Sequence, residues 1–219
     1  MNIKRILPLP NNLPIHYDPN IDQLLEILLP YPDLYEQKLA EHFIDVLVYD
    51  NEISDNVGFY KIVNAVGLDT FLYYDLPYEV AKASVGNIVE YIITLLDQEF
   101  YVAFLCDTFW VNNYISYQKE HKEQPPFLYG YDREQQVFFA QDYFDFRSLG
   151  KQTISFADIQ QSYCQGEFIC YSGEHAFLNA CILWSKKLVN HRAGAINFPV
   201  IKQKLENFLN NYPYTNSEG

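Results

Sequence analysis

Apolar residues at helical spacing predict a helical start to the chain. Prolines within the first 17 residues predict an extended arm there. Asp18 and Pro19 form a typical helix start, because the aspartate can cap the first turn and the proline is preset for the first helical position. Apolar residues then recur every three or four positions, which indicates an amphipathic helix ended by Pro30. The same spacing predicts three further helices, over residues 34–47, 57–66 and 78–97.

A different pattern follows, with apolar runs of strand length. Residues 100–105 form a continuous apolar run, which is typical of a central strand. Two runs joined by four polar residues predict a β-hairpin over 127–140. Short strands are also expected at residues 70–74 and 153–156, and helices at 157–163 (with Ser155 and Asp158 as a capping pair), 176–189 and 198–209. Helices, then a mostly antiparallel sheet, then helices indicate an α+β fold.

The composition fits one folded domain. The chain has 219 residues, of which 49% are hydrophobic and 17% aromatic, enough to build a sizeable core. We expect a single domain over residues 1–211 and a flexible tail over 212–219. No secretory leader pattern and no run of about 20 apolar residues occurs, so a cytoplasmic protein with reduced thiols is expected.

Charge and cysteine spacing narrow the range of partners. The formal net charge is −13, from 15 basic and 28 acidic residues. Clustered lysine and arginine are what release counterions from phosphates, so neither nucleic acid nor a membrane surface is an expected partner. The spacing of the cysteines is not that of a zinc site, so neither a metal nor another cofactor is expected. These four cysteines are Cys106, Cys164, Cys170 and Cys181.

Three segments in the middle of the chain occur in a recognisable order. The first, residues 101–107, is an apolar strand that ends in an aspartate; the second, residues 121–132, runs HKEQPPFLYGYD; the third, residues 137–142, runs VFFAQD. Together they resemble the family of the butirosin-biosynthesis acyltransferase H N-terminal domain, over roughly residues 95–163. That family has a papain-like fold and is related to the bacteriocin-processing cysteine peptidases, so the resemblance implies a papain-like α+β domain.

The resemblance also implies positions for a catalytic triad. Active family members use a cysteine near the first helix as nucleophile, a histidine before the Y-G-Y-D strand as base, and an aspartate after the next strand to orient it. Here Asp142 falls on the aspartate position, Gln124 on the histidine position, and His121 on the first histidine of the family's H-x-x-H. No cysteine precedes Cys106. Because a glutamine amide does not accept a proton near neutral pH, the thiol mechanism is not expected to operate.

Each of these residues also has a plain structural interpretation. His121 lies in a polar stretch, where a solvated histidine is common. Asp142 ends a strand and can simply belong to a turn. Cys106 lies within an apolar run, where cysteine usually acts as a small buried hydrophobe.

Three functions therefore remain open. The first is a catalytically degenerate papain-like protein that binds a peptidyl or acyl ligand, or a carrier protein, as an accessory component of nonribosomal or other thiotemplated peptide biosynthesis. The second is an active acyltransferase or amide hydrolase with a non-standard constellation, using His121 or Asp142 with a water molecule. The third is a protein–protein interaction domain, with self-association into a homo-oligomer as one form of it.

Overall fold

A computed structural model describes residues 2–10, 19–42, 47–48, 57–58, 70–167, 181–190 and 192–209. The chain divides into two compact units. The first unit comprises residues 1–8 and 72–187, and the second comprises residues 9–71 and 188–219. The expectation of one domain over residues 1–211 stays a prediction.

The first unit is built on a large sheet. The strands of the described residues are β1 Lys4–Ile6, β2 Leu47–Val48, β3 Val57–Gly58, β4 Phe71–Pro77, β5 Tyr101–Phe104, β6 Cys106–Asp107, β7 Glu123–Gln124, β8 Phe127–Asp132, β9 Val137–Asp142, β10 Gly150–Ser155 and β11 Cys181–Leu188. Seven of them form the large sheet in the spatial order β10-β9-β8-β5-β11-β4, with β1 paired to β8, and every pairing whose register is described is antiparallel. Two further pairs, β2 with β3 and β6 with β7, are not part of this sheet. With the helices below, this mostly antiparallel sheet confirms the α+β class.

The helices of the described residues are α1 Pro19–Leu28, α2 Pro32–His42, α3 Tyr78–Ser84, α4 Ile88–Asp97, α5 Phe156–Gln165 and α6 Phe198–Leu209. Two helices of the first unit, α4 and α5, pack against the large sheet. Helix α4 packs on β5 and β8 through an apolar face that includes the fully buried Ile88, Ile92 and Leu96. Helix α5 packs on β10, and Ser155 Oγ caps it by accepting a hydrogen bond from the Asp158 N–H, which confirms the predicted pair.

The predicted helix over residues 176–189 is wrong where the structure describes it. Residues 181–188 form strand β11, in which Leu183 lies opposite Phe104 of β5. Ile182 and Leu183 are adjacent and both fully buried, so the strand is covered on both faces. A strand of this kind reads as an apolar run that periodicity cannot separate from a buried helix. Residues 176–180 lie outside the described residues.

Three other helix predictions need correction at their boundaries. The helix predicted over 34–47 is α2, which ends at His42, and position 47 begins β2 instead. The helix predicted over 57–66 begins with the two residues of β3, and its remainder lies outside the described residues. The helix predicted over 78–97 is two helices, α3 and α4, because the chain turns at Gly86 and Asn87 caps the second one by accepting from the Glu90 N–H.

Gly130 allows β1 to lie against β8. In the register of this pair Ile6 is opposite Gly130. A Cβ atom at position 130 would lie 2.4 Å from the Arg5 carbonyl oxygen and 2.9 Å from the Ile6 Cα. Both contacts are with backbone, which cannot turn aside as a side chain can. A side chain at position 130 therefore forces the two strands apart.

Replacing Gly130 by alanine is expected to lower the free energy of unfolding by about 1–3 kcal/mol, the usual range for overpacking. Thermal or urea unfolding followed by circular dichroism measures this. Gly150→Ala is the matched control, because a Cβ added to that strand glycine would have no other atom within 4 Å. Equal destabilisation by the two substitutions would contradict the packing argument.

Candidate functional site

A short β-ribbon, separate from the large sheet, contains the candidate residue Gln124 and lies next in sequence to His121. Strand β6 continues from β5 and pairs with β7, so that Cys106 lies opposite Gln124 and Asp107 lies opposite Glu123. The chain between the two strands returns to the ribbon at His121. The ribbon thus gathers residues that are up to 18 positions apart in sequence onto one short piece of structure.

Asp107 and His121 form a hydrogen-bonded pair on this ribbon. The Asp107 side chain is fully buried, and its Oδ2 lies 2.7 Å from His121 Nδ1. Two backbone donors also fix the carboxylate, the N–H of Phe109 at 3.0 Å and the N–H of Glu167 at 2.9 Å. The Asp107 backbone N–H donates in turn to Ser162 Oγ at 2.8 Å. The Asp107 carboxylate is therefore fixed by hydrogen bonds with His121 Nδ1 and with two backbone N–H groups.

The remainder of the His121 ring is held by stacking and stays accessible. The imidazole stacks on the Phe109 ring with centroids 4.3 Å apart and planes 11° apart. Its side chain is 35% exposed, and Nε2 lies 4.0 Å from Oε1 of the exposed Glu167. The hydrogen bond to Asp107 raises the pKa of His121 above its usual 6.5. A carboxylate on Nδ1 of a partly exposed imidazole is the arrangement of a histidine positioned for proton transfer.

Asp142 has a different partner. It lies at the end of β9 with its side chain buried, and its Oδ2 accepts a hydrogen bond from the Tyr114 hydroxyl. Burial raises the pKa of Asp142 despite that hydrogen bond. The fully buried Cys106 thiol belongs to the same cluster, because the Tyr114 hydroxyl also interacts with it. Burial, and then the proximity of Asp142, raise the pKa of Cys106 well above its ordinary value.

The structure thus separates the three residues proposed from the sequence. His121 is paired with Asp107, Asp142 is paired with Tyr114, and Gln124 lies half-buried in β7 opposite Cys106. No contact places these three side chains in one hydrogen-bonded chain within the described part of the molecule. Their assignment as remnants of a triad stays a prediction.

Sequence reasoning misses two members of these pairs. Asp107 ends an apolar strand, and that position is the available signal, but its partner lies 14 positions away across an irregular loop. Tyr114 lies in the same loop, and the sequence does not distinguish it from the other aromatic residues there as a hydrogen-bond partner of Asp142. Only the path of the loop decides which donor meets which acid.

The described residues contain no cluster of three or more histidine, cysteine, aspartate or glutamate side chains able to hold a metal ion. Cys106 and Cys164 are free thiols, the first buried and the second exposed. In the same ranges, no helix has both the length and the apolar character that crossing a membrane requires.

No protein-family model, curated protein or solved structure matches the chain.

Asp107→Asn is expected to lower the pKa of His121 toward about 6.5, because an amide oxygen stabilises the imidazolium less than a carboxylate does. Titration of the imidazole Cε1 proton by NMR measures this. Glu120→Gln is the matched control, since it removes a neighbouring carboxylate that pairs with Lys122 instead. An unchanged His121 titration in the Asp107 variant would show that the pair does not form in solution.

Proposed function

We propose that the protein is a papain-like family member that has lost thiol catalysis and binds a peptidyl or acyl group. In this view it is an accessory component of nonribosomal or other thiotemplated peptide biosynthesis. The observation that carries the proposal is the hydrogen bond between Tyr114 and Asp142. This hydrogen bond engages the carboxylate of Asp142, which by the family resemblance would orient the catalytic histidine.

The chemistry of the neighbouring groups supports the same view. A thiolate, and not a thiol, is the nucleophile in acyl transfer. The buried Cys106 has a raised pKa and is protonated at neutral pH. Gln124, on the family's histidine position, has no lone pair basic enough to take a proton. A thioester that reached these residues would meet a protonated thiol at Cys106 and no base at the family's histidine position, Gln124.

The test uses aminoacyl and acyl thioesters of N-acetylcysteamine with the full chain. We expect saturable binding by calorimetry, no release of thiol above the uncatalysed rate, and no acyl adduct on a cysteine by peptide mass spectrometry. Gln124→His alone is expected to leave this result unchanged, because Asp142 remains bound to Tyr114. Thiol release by the wild-type protein, an acylated cysteine, or the absence of binding would each refute the proposal.

The His121–Asp107 pair supports a second candidate function. An imidazole oriented by a buried carboxylate can remove a proton from water, so hydrolysis or acyl transfer without a thiol intermediate is the alternative. General-base catalysis of this kind contributes roughly 10²–10⁴-fold to a rate. The Nδ1–Oδ2 distance of 2.7 Å is the specific observation in its favour.

Variants of the pair separate the two candidates. If the thioesters or their amide analogues are hydrolysed, His121→Gln is expected to reduce kcat by at least about a hundredfold. Asp107→Asn is expected to lower the pKa seen in the pH–rate profile, since it removes the group that raises the pKa of His121. Hydrolysis that survives His121→Gln unchanged would exclude this histidine as the base.

A further inference from the structure

The hydrogen bond to Asp107 decides which nitrogen of His121 is left to meet a ligand. A carboxylate only accepts, so in the neutral imidazole Nδ1–H donates to Asp107 Oδ2 at 2.7 Å and the lone pair lies on Nε2. Among the described residues Nε2 has no hydrogen-bond partner, and Glu167 Oε1 lies 4.0 Å from it. Neither side chain is enclosed, since His121 is 35% exposed there and Glu167 is 76% exposed. Two acceptors therefore lie side by side on side chains that solvent reaches.

The separation of these two acceptors matches a bridging donor. At 4.0 Å they are too far apart for a direct hydrogen bond. A nitrogen about 2.85 Å from each acceptor would form an angle of about 90° with them, near the roughly 109° between two N–H bonds, so both hydrogen bonds would be almost straight. An ammonium group has three such hydrogens and no acceptor of its own. One ammonium nitrogen can therefore bridge the pair with two hydrogen bonds.

The charges around the imidazole favour a cationic donor over a neutral one. Both charged groups that act on it are acids, Asp107 and Glu167. Glu123 lies opposite Asp107 in the ribbon, and the adjacent lysine, Lys122, is paired with Glu120 at 2.7 Å. These acids attract an ammonium group more strongly than a water molecule or an amide, because hydrogen bonds between charged groups are the stronger ones.

We propose that His121 Nε2 and Glu167 Oε1 together bind a primary ammonium group, the α-amino group of an aminoacyl or peptidyl ligand. The neutral imidazole accepts one hydrogen bond, and the carboxylate accepts a second, charge-assisted one. A lone pair that holds an ammonium group does not at the same time take a proton from water, so this inference accompanies the binding function and not the general-base alternative. The identity of the ligand rests on the proposed function, whereas the ammonium site itself rests on the two acceptors.

The test follows the imidazole Cε1 proton of His121 by NMR across pH, in the full chain, with L-alaninamide present. The resonance is assigned by its loss in His121→Gln. Because the ammonium group binds only the neutral imidazole, L-alaninamide at twice its dissociation constant is expected to lower the pKa of His121 by about 0.5. At equal ionic strength, propionamide has no ammonium group and tetramethylammonium has no N–H donor, so both are expected to leave this pKa unchanged. An unchanged pKa with L-alaninamide, or an equal fall with tetramethylammonium, would overturn the proposal.

A variant of the carboxylate checks the second acceptor. Glu167→Gln is expected to weaken L-alaninamide binding at least about tenfold, because it removes the charge-assisted acceptor and keeps the shape of the side chain. Glu134→Gln, at an exposed glutamate in the turn between β8 and β9, is the matched control and is expected to leave binding unchanged. Equal binding by the wild-type protein and Glu167→Gln would contradict the proposal.

Calorimetry with the propionyl thioester of N-acetylcysteamine separates this inference from the proposed function. If the thioester binds while L-alaninamide leaves the pKa of His121 unchanged, the binding function is supported and the ammonium site is wrong. If L-alaninamide lowers that pKa in a manner that depends on Glu167 and no thioester binds, the ammonium site is supported and the proposed function is wrong.

Discussion

The first unit depends on strand β8 being paired along both of its edges. One edge carries β9, and the other carries β5 at its beginning and β1 at its end. Phe127 and Leu128 point to opposite faces of this strand, and both are fully buried. The exchange of one partner for the other occurs at Gly130, beside a bulge in the pairing with β9, where only a glycine lets the backbone of Arg5 approach. Burial on both faces and backbone pairing on both edges make β8 the element that the neighbouring strands must fit.

This arrangement decides which acids are available for chemistry. Asp142, the last residue of β9, is buried, and a buried carboxyl needs a donor such as Tyr114. The β6–β7 ribbon lies outside the large sheet, so it can bury Asp107 while leaving the His121 ring at the surface. Asp142, at the end of a sheet strand, is therefore bound to Tyr114, whereas Asp107, on the ribbon, is hydrogen-bonded to the partly exposed His121.

The sequence predicts the local parts of this structure well. The hairpin of β8 and β9, the central strand β5 and the cap of α5 all follow from patterns within about ten residues, where side-chain alternation and capping chemistry act directly. The helix prediction at strand β11 is wrong because the identity of this strand comes from pairing with β5, some 80 positions away in the chain. The partners of His121 and Asp142 could not be predicted for a similar reason: they are set by the path of the loop between β6 and β7, which has no regular sequence pattern.

Burial of ionisable groups links these separate observations. The folded state disfavours the charged form of Asp142, since its pKa is raised, and that cost begins as the pH rises above the unfolded value of about 3.9. It also disfavours the charged form of Lys186, and that cost persists at every pH below about 8 and is relieved as the pH rises toward the unfolded value. Both costs therefore act together at neutral pH. Apolar residues of similar volume would avoid them, and replacing buried charges in this way is often neutral or stabilising. The fold therefore holds a buried carboxyl, hydrogen-bonded by Tyr114, and a buried amine at a cost in stability at neutral pH.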